Sequence, residues 1–250
     1  MEKRANAKKR LIWLLSVSLS LLLIVCGCAI YVNDCYHADQ HAIEAFAADK
    51  AITQTQIGKG MIAFEPEEIT VGLIFYPGGK VEYTAYVPLM QALADRGVLC
   101  VLIEMPCNLA VLDMNAADGV QARYPDVERW YIGGHSLGGS MAASYLAKHT
   151  EDFDGIVLLG AYSTADLSAT SLEALSLFGS EDKVMNRGKY DKYKKNLPSV
   201  LREIEIQGGC HAYFGMYGAQ DGDGIPTISA QEQIYKAADY IWDFVSKGEK

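Results

Sequence analysis

No CxxC pair occurs in this 250-residue chain, and its histidines and cysteines show no metal-ligand spacing, which argues against a zinc-finger type of metal site. No segment is low in complexity, and nothing repeats at a period of roughly 20–50 residues, so solenoids and propellers are excluded. Charge is sparse, at 21% of residues against 50% hydrophobic. A disordered chain is excluded on that ground, because there is ample apolar material for a core. Beyond the first ten residues there is no basic stripe. Nucleic acid is therefore not an expected partner, since phosphate binding needs clustered lysine and arginine.

What charge there is falls unevenly. Lys3, Arg4, Lys8, Lys9 and Arg10 stand against Glu2, a balance of +4 before residue 33 in a chain of net charge −9. Leu11 to Val32 then carries no charge at all. As a helix that run would reach ~33 Å, about the thickness of the hydrocarbon core of a bilayer. The expected layout is a basic cytoplasmic segment (1–10), a transmembrane anchor (11–32), a helical connector (33–58) and a globular domain (59–250) outside the cytoplasm. Secretion after cleavage near Gly27-Cys28-Ala29 is the alternative, disfavoured by the length of the apolar run. A lipoprotein site at Cys28 fits poorly with Val25-Cys26-Gly27 before it.

The connector reads as alanine-rich and helical from His37 to Lys50, with His37 and His41 on a solvated face rather than in a metal site. From residue 60 the pattern alternates. Short apolar runs at 71–75, 98–103, 130–132, 155–159, 174–178 and 203–207 read as strands. Segments 83–96, 111–124, 137–149, 183–196 and 230–247 read as helices. That alternation predicts an α/β fold: a mostly parallel, doubly wound sheet covered on both faces, with ligands at the carboxyl ends of its strands. Cys100 lies in one of these runs and reads as a small core residue. Spacing alone supports no bridge between Cys107 and Cys210.

The strongest motif is Gly134-His135-Ser136-Leu137-Gly138, placed between a predicted strand and a predicted helix. A nucleophile on so sharp a turn needs small neighbours two residues to either side, which Gly134 and Gly138 supply. Serine is inert without a base. His37 and His41 fall in the connector, His149 at a helix end, and His135 beside the serine with its side chain expected to point away. His211 remains, in the glycine-rich loop after the last strand, and is the candidate base. Asp182 is the candidate orienting acid, with Glu181 as substitute; Asp166, Asp221 and Asp223 are less favoured. The Leu137 amide and that of Gly79, with Lys80 next to it, are candidate donors to an oxyanion. Tyr76, Tyr83, Tyr213 and Tyr217 are candidate pocket walls, and residues 213–224 a candidate rim.

With these residues in view, the chain resembles the α/β-hydrolase superfamily over roughly residues 60–247. Within it, the resemblance is to small bacterial dienelactone hydrolase-like proteins. It is carried by Phe75-Tyr-Pro-Gly-Gly79, Gly134-His-Ser-Leu-Gly-Gly139, Gly179-Ser-Glu-Asp182 and Gly208-Gly-Cys-His211. The resemblance implies a Ser136–His211–Asp182 triad and hydrolysis of a small ester or lactone without metal or organic cofactor. Dienelactone hydrolase itself carries a cysteine where this chain has Ser136, so its particular substrate does not carry over. An acyltransferase on the same residues, or a binding domain that has kept the fold, are the alternative functions.

Overall fold

The computed structural model describes residues 2–47 and 52–248, so the end of the expected connector helix (48–50) lies outside the described residues. The chain divides into two compact units, residues 1–35 and 36–250. In the first, helix α1 (Glu2–Asn33) contains a stretch, Lys9–Ala29, that is long and apolar enough to cross a membrane, with a mean hydropathy of 2.5.

The second unit is built on eight strands: β1 (Thr53–Gly58), β2 (Met61–Glu65), β3 (Val71–Tyr76), β4 (Val98–Ile103), β5 (Trp130–His135), β6 (Gly155–Leu159), β7 (Glu173–Gly179) and β8 (Val200–Ile206). They lie in the order β1-β2-β4-β3-β5-β6-β7-β8. Strands β3 to β8 run parallel, while β2 pairs antiparallel with both β1 and β4. The order reverses at β3, whose neighbours are β4 on one side and β5 on the other. A crevice opens at such a point, at the carboxyl ends of the strands.

Side chains alternate between two cores, as the two-residue strand period requires. Leu73, Phe75, Cys100, Leu102, Val157 and Leu159 face α2 (Gln40–Ala47), α3 (Val87–Ala94) and α6 (Ala230–Val245). Ile74, Leu99, Val101, Ile132, Ile156 and Leu158 face α4 (Leu137–Leu146). Each such buried aliphatic side chain contributes about 1.5–3 kcal/mol relative to exposure. The six strands expected from apolar runs are all present. Cys100 is buried in the first core, and Cys107 and Cys210 are both free thiols.

Three expectations need correction. Residues 53–58, assigned to a helical connector, form edge strand β1, and β2 was not anticipated. Their hairpin turns at Gly60 (φ 68°), and β1 is too polar and exposed to show an apolar run. The earlier part of the connector does hold a helix, α2 (Gln40–Ala47), whose Ile43 and Phe46 are buried, Phe46 stacking on Tyr235 with ring centroids 5.0 Å apart. Residues 111–124 were expected to be one helix but form only short turns, at Ala110–Leu112 and Gln121–Arg123. Gly119 (φ 76°) breaks the segment, and the Tyr76 hydroxyl ties its middle down, donating to Met114 O and accepting from Ala117 N. The polar helix expected over 183–196 is shortened to α5 (Arg187–Tyr193) and one further turn.

Candidate active site

Ser136 sits between β5 and α4 with φ 51° and ψ −120°, a left-handed conformation rare for a residue with a Cβ. Such geometry costs on the order of 1–2 kcal/mol and persists only where neighbours enforce it. They do so here by close approach. A Cβ added at Gly138 would stand 2.2 Å from Pro77 O and 2.3 Å from Tyr76 O, and one at Gly134 would stand 2.5 Å from Tyr76 O. The Ser136 amide donates to Leu159 O at 2.9 Å, fixing the turn to β6.

Asp182 and His211 come from the loops after β7 and β8 and meet in the interior. His211 Nδ1–H donates to Asp182 Oδ2 at 2.8 Å, and both side chains are buried. The other carboxylate oxygen, Oδ1, accepts from the amides of Val184 (3.0 Å) and Met185 (2.8 Å), so the acid is held on both sides. The second ring nitrogen, Nε2, is buried with no hydrogen-bond partner among the described residues. The imidazole lies against Gly160, where an added Cβ would come within 2.8 Å of Nδ1, and 4.4 Å from the ring of His135. Glu181 points elsewhere, its carboxylate accepting from Ser180 Oγ at 3.0 Å. Exposed Asp166 binds Ser168.

Two side chains hold the histidine loop: Gln233, which no sequence motif marks, and Asp223, a less favoured acid candidate. Fully buried Gln233, from α6, clamps the peptide before His211: its Oε1 accepts from Cys210 N (3.0 Å) and its Nε2 donates to Cys210 O (2.8 Å). Asp223 clamps the residue after, accepting from the amides of Ala212 (2.9 Å), Lys183 (3.2 Å) and Gly224 (2.8 Å). Burial pushes its carboxyl pKa up, but these amides outweigh burial and hold it below the usual carboxylate value.

At the end of β3 the amides divide by use. Gly78 N donates to Tyr86 Oη (3.0 Å) and Lys80 N to Asn108 O (2.8 Å), so the Lys80 amide is committed. No hydrogen bond engages the Gly79 amide among the described residues. Gly79 also abuts the residue after the serine, since a Cβ on it would lie 2.9 Å from Leu137 Cδ2. The amides of Gly79 and Leu137 thus belong to neighbouring residues on one side of the serine.

His135 has a task of its own. Tyr86 Oη, accepting from Gly78, donates onward to His135 Nδ1 at 2.7 Å, which makes Nδ1 the unprotonated nitrogen. The residue before the serine thereby braces the loop carrying Gly79. Burial, then repulsion from His211, pushes its pKa well below the ordinary histidine value. Its stabilising effect is therefore complete above about pH 6.5, its unfolded value, and is lost as pH falls below it, by up to about 1.4 kcal/mol per unit. The melting temperature is expected to drop between pH 7 and pH 5, and to drop less steeply in His135→Gln. Equal slopes in thermal unfolding would count against this role.

The cleft at Ser136 measures about 240 Å³ and is lined by Ser136, Leu137, Ser140, Gly160, Ala161, Tyr162, Val184, Met185 and Asn186. None of the four expected tyrosine walls lines it. Tyr76 and Tyr217 are buried in packing, Tyr83 packs against the first core, and Tyr213 faces a separate cavity of about 300 Å³ with Ala219, Gln220, Asp223 and Gly224. The expected 213–224 rim thus borders that second cavity. Tyr162, Val184 and Met185 were missed because each follows a strand at a distance no short motif encodes. A larger hollow of about 600 Å³, with Glu67, Glu68, Asp95 and Arg96 on its walls, lies by the amino ends of β3 and β4, away from these groups. Among the described residues no cluster of three or more metal-ligating side chains occurs.

Comparison with known proteins agrees with this architecture. The model of the alpha/beta hydrolase family matches residues 72–235, from β3 into α6, and the chain belongs to that family. By family, then, it falls among hydrolases. The crystal structure of a predicted CIB-like hydrolase from Thermoplasma acidophilum superposes with a TM-score of 0.54 at 16% identity, covering 77% of this chain and 99% of that one. At that identity the likeness is one of fold. No curated protein matches the sequence.

Proposed function

We propose that this protein is a serine hydrolase that cleaves small carboxyl esters or lactones through an acyl-enzyme at Ser136. The buried Asp182–His211 pair beside the strained Ser136 turn carries this reading. His211 Nε2 takes the proton of Ser136 Oγ as the oxygen attacks the substrate carbonyl, and the amides of Leu137 and Gly79 receive the oxyanion. His211 then protonates the leaving alcohol. Water activated by the same nitrogen releases the acid and regenerates the serine. No step calls on a metal or organic cofactor.

The cleft suits a short, uncharged acyl group. Its volume of about 240 Å³ is small, and none of its lining residues carries a charge. Met185 and Ala161 make an apolar floor, both being buried. Helix α1 would tether the enzyme to a membrane, its basic end in the cytoplasm and the catalytic unit on the far side.

Two measurements test this reading together. A fluorophosphonate probe should label the protein at Ser136, and p-nitrophenyl esters should be hydrolysed best at two to four acyl carbons, falling at least about tenfold by ten carbons. Absence of labelling on folded protein would favour a binding domain. A preference for decanoate would overturn the short-acyl reading alone.

A further inference from the structure

The segment that follows the apolar helix is tied to loops at the carboxyl ends of the strands, where Ser136 lies. Tyr36 N donates to Lys80 O at 2.7 Å, and Glu82 N donates back to Tyr36 O at 2.9 Å, a one-residue parallel pairing opposite Val81. Ala38 N donates to Glu82 Oε2 at 3.1 Å. These bonds fix the loop that begins with Pro77-Gly78-Gly79.

Tyr36 and Asp39 also hold the loop beyond His211. Asp39 N donates to Met216 O at 2.8 Å, and Asp221 N donates to Tyr36 Oη at 3.2 Å. The Tyr36 ring lies 5.7 Å from that of Tyr217, which in turn lies 6.5 Å from Tyr86. Tyr86 is the residue that receives the Gly78 amide. Lys80 itself has φ 59°, and its peptide is held on one side by Asn108 and on the other by Tyr36. A left-handed lysine at the end of a glycine-rich loop keeps that conformation only while both partners are present.

We propose that Tyr36–Asp39 is a positioning strap of the catalytic centre, with Tyr36 as the positioning residue that holds the Gly79 loop and the 211–224 loop in register. The proposal rests on the hydrolytic reading above. Tyr36 touches no reacting atom; its backbone binds Lys80 and Glu82, while its side chain, which the substitutions below remove, holds Asp221 and Tyr217 on the loop behind His211 and through Tyr217 packs toward Tyr86, the acceptor of the Gly78 amide. Loss of this brace should slow acylation without weakening substrate capture, because a misplaced oxyanion donor costs rate in the transition state alone.

The test uses the full chain in detergent. Tyr36→Ala should lower kcat on p-nitrophenyl acetate by about tenfold, with KM within about twofold, and should slow fluorophosphonate labelling in parallel. Tyr36→Phe keeps the ring but loses the acceptor for Asp221 and should lose about threefold. Melting temperatures of both are measured alongside, so that the rate is read on folded protein. Wild-type kcat and labelling rate in folded Tyr36→Ala would overturn Tyr36 as the positioning residue while leaving the hydrolytic reading intact. Should Tyr36→Ala not fold, wild-type kcat in Tyr36→Phe would overturn it. Undiminished turnover by a Ser136→Ala control would instead bring down the hydrolytic reading, and the strap with it.

Discussion

Ser136→Ala is expected to lower kcat/KM on a short p-nitrophenyl ester by about 10⁴-fold or more, with no loss of melting temperature. The size follows from the chemistry: without the hydroxyl there is no acyl-enzyme, and only the amides of Leu137 and Gly79 and the cleft itself remain to assist water. Stability should hold because no hydrogen bond engages the serine hydroxyl among the described residues, while its backbone bond to Leu159 is untouched. Steady-state kinetics and thermal unfolding on the same preparation check both halves. Retention of more than a tenth of the activity would refute Ser136 as nucleophile.

Asp182→Asn should be nearly as damaging, lowering kcat by about 10³- to 10⁴-fold with KM little changed. The isosteric amide can still accept from Val184 and Met185, so the loop stays folded. Its NH₂ group then faces His211 Nδ1, which must become the acceptor. That tautomer puts the proton on Nε2, the nitrogen that in the proposed mechanism takes one from Ser136. The imidazole is present but in the wrong form. A loss of less than tenfold, or a loss confined to KM, would show that Asp182 does not set the tautomer.

Much of this could be read in the sequence because the parallel strands are buried on both faces. Val98–Ile103 and Gly155–Leu159 are uninterrupted apolar runs, and both are strands with those bounds. The glycines around Ser136 were legible for a similar reason: a Cβ has nowhere to go, so the constraint is written locally. Strand β1 was not, because Thr53-Gln-Thr-Gln56 lies at an exposed edge, where burial imposes no pattern. Nor could short motifs reveal that Tyr86 bridges Gly78 and His135, that Gln233 and Asp223 grip the two ends of the histidine peptide, or that Tyr36 spans two loops. Those are contacts between residues far apart in the chain, set by topology, and each residue alone looks like ordinary packing or surface.

Strand β1 closes one side of the sheet with only its inner edge paired, which leaves a row of peptide groups able to accept another strand. Threonine and glutamine offer no like-charge repulsion to deter a second copy. The register with β2 slips between Gln56 and Gly58, an irregularity of the kind that blunts an edge by interrupting a straight run of pairing. Were helix α1 to hold the chain in a membrane, as proposed above, copies would collide far more often than in bulk solution, and that irregularity would work against edge-to-edge pairing.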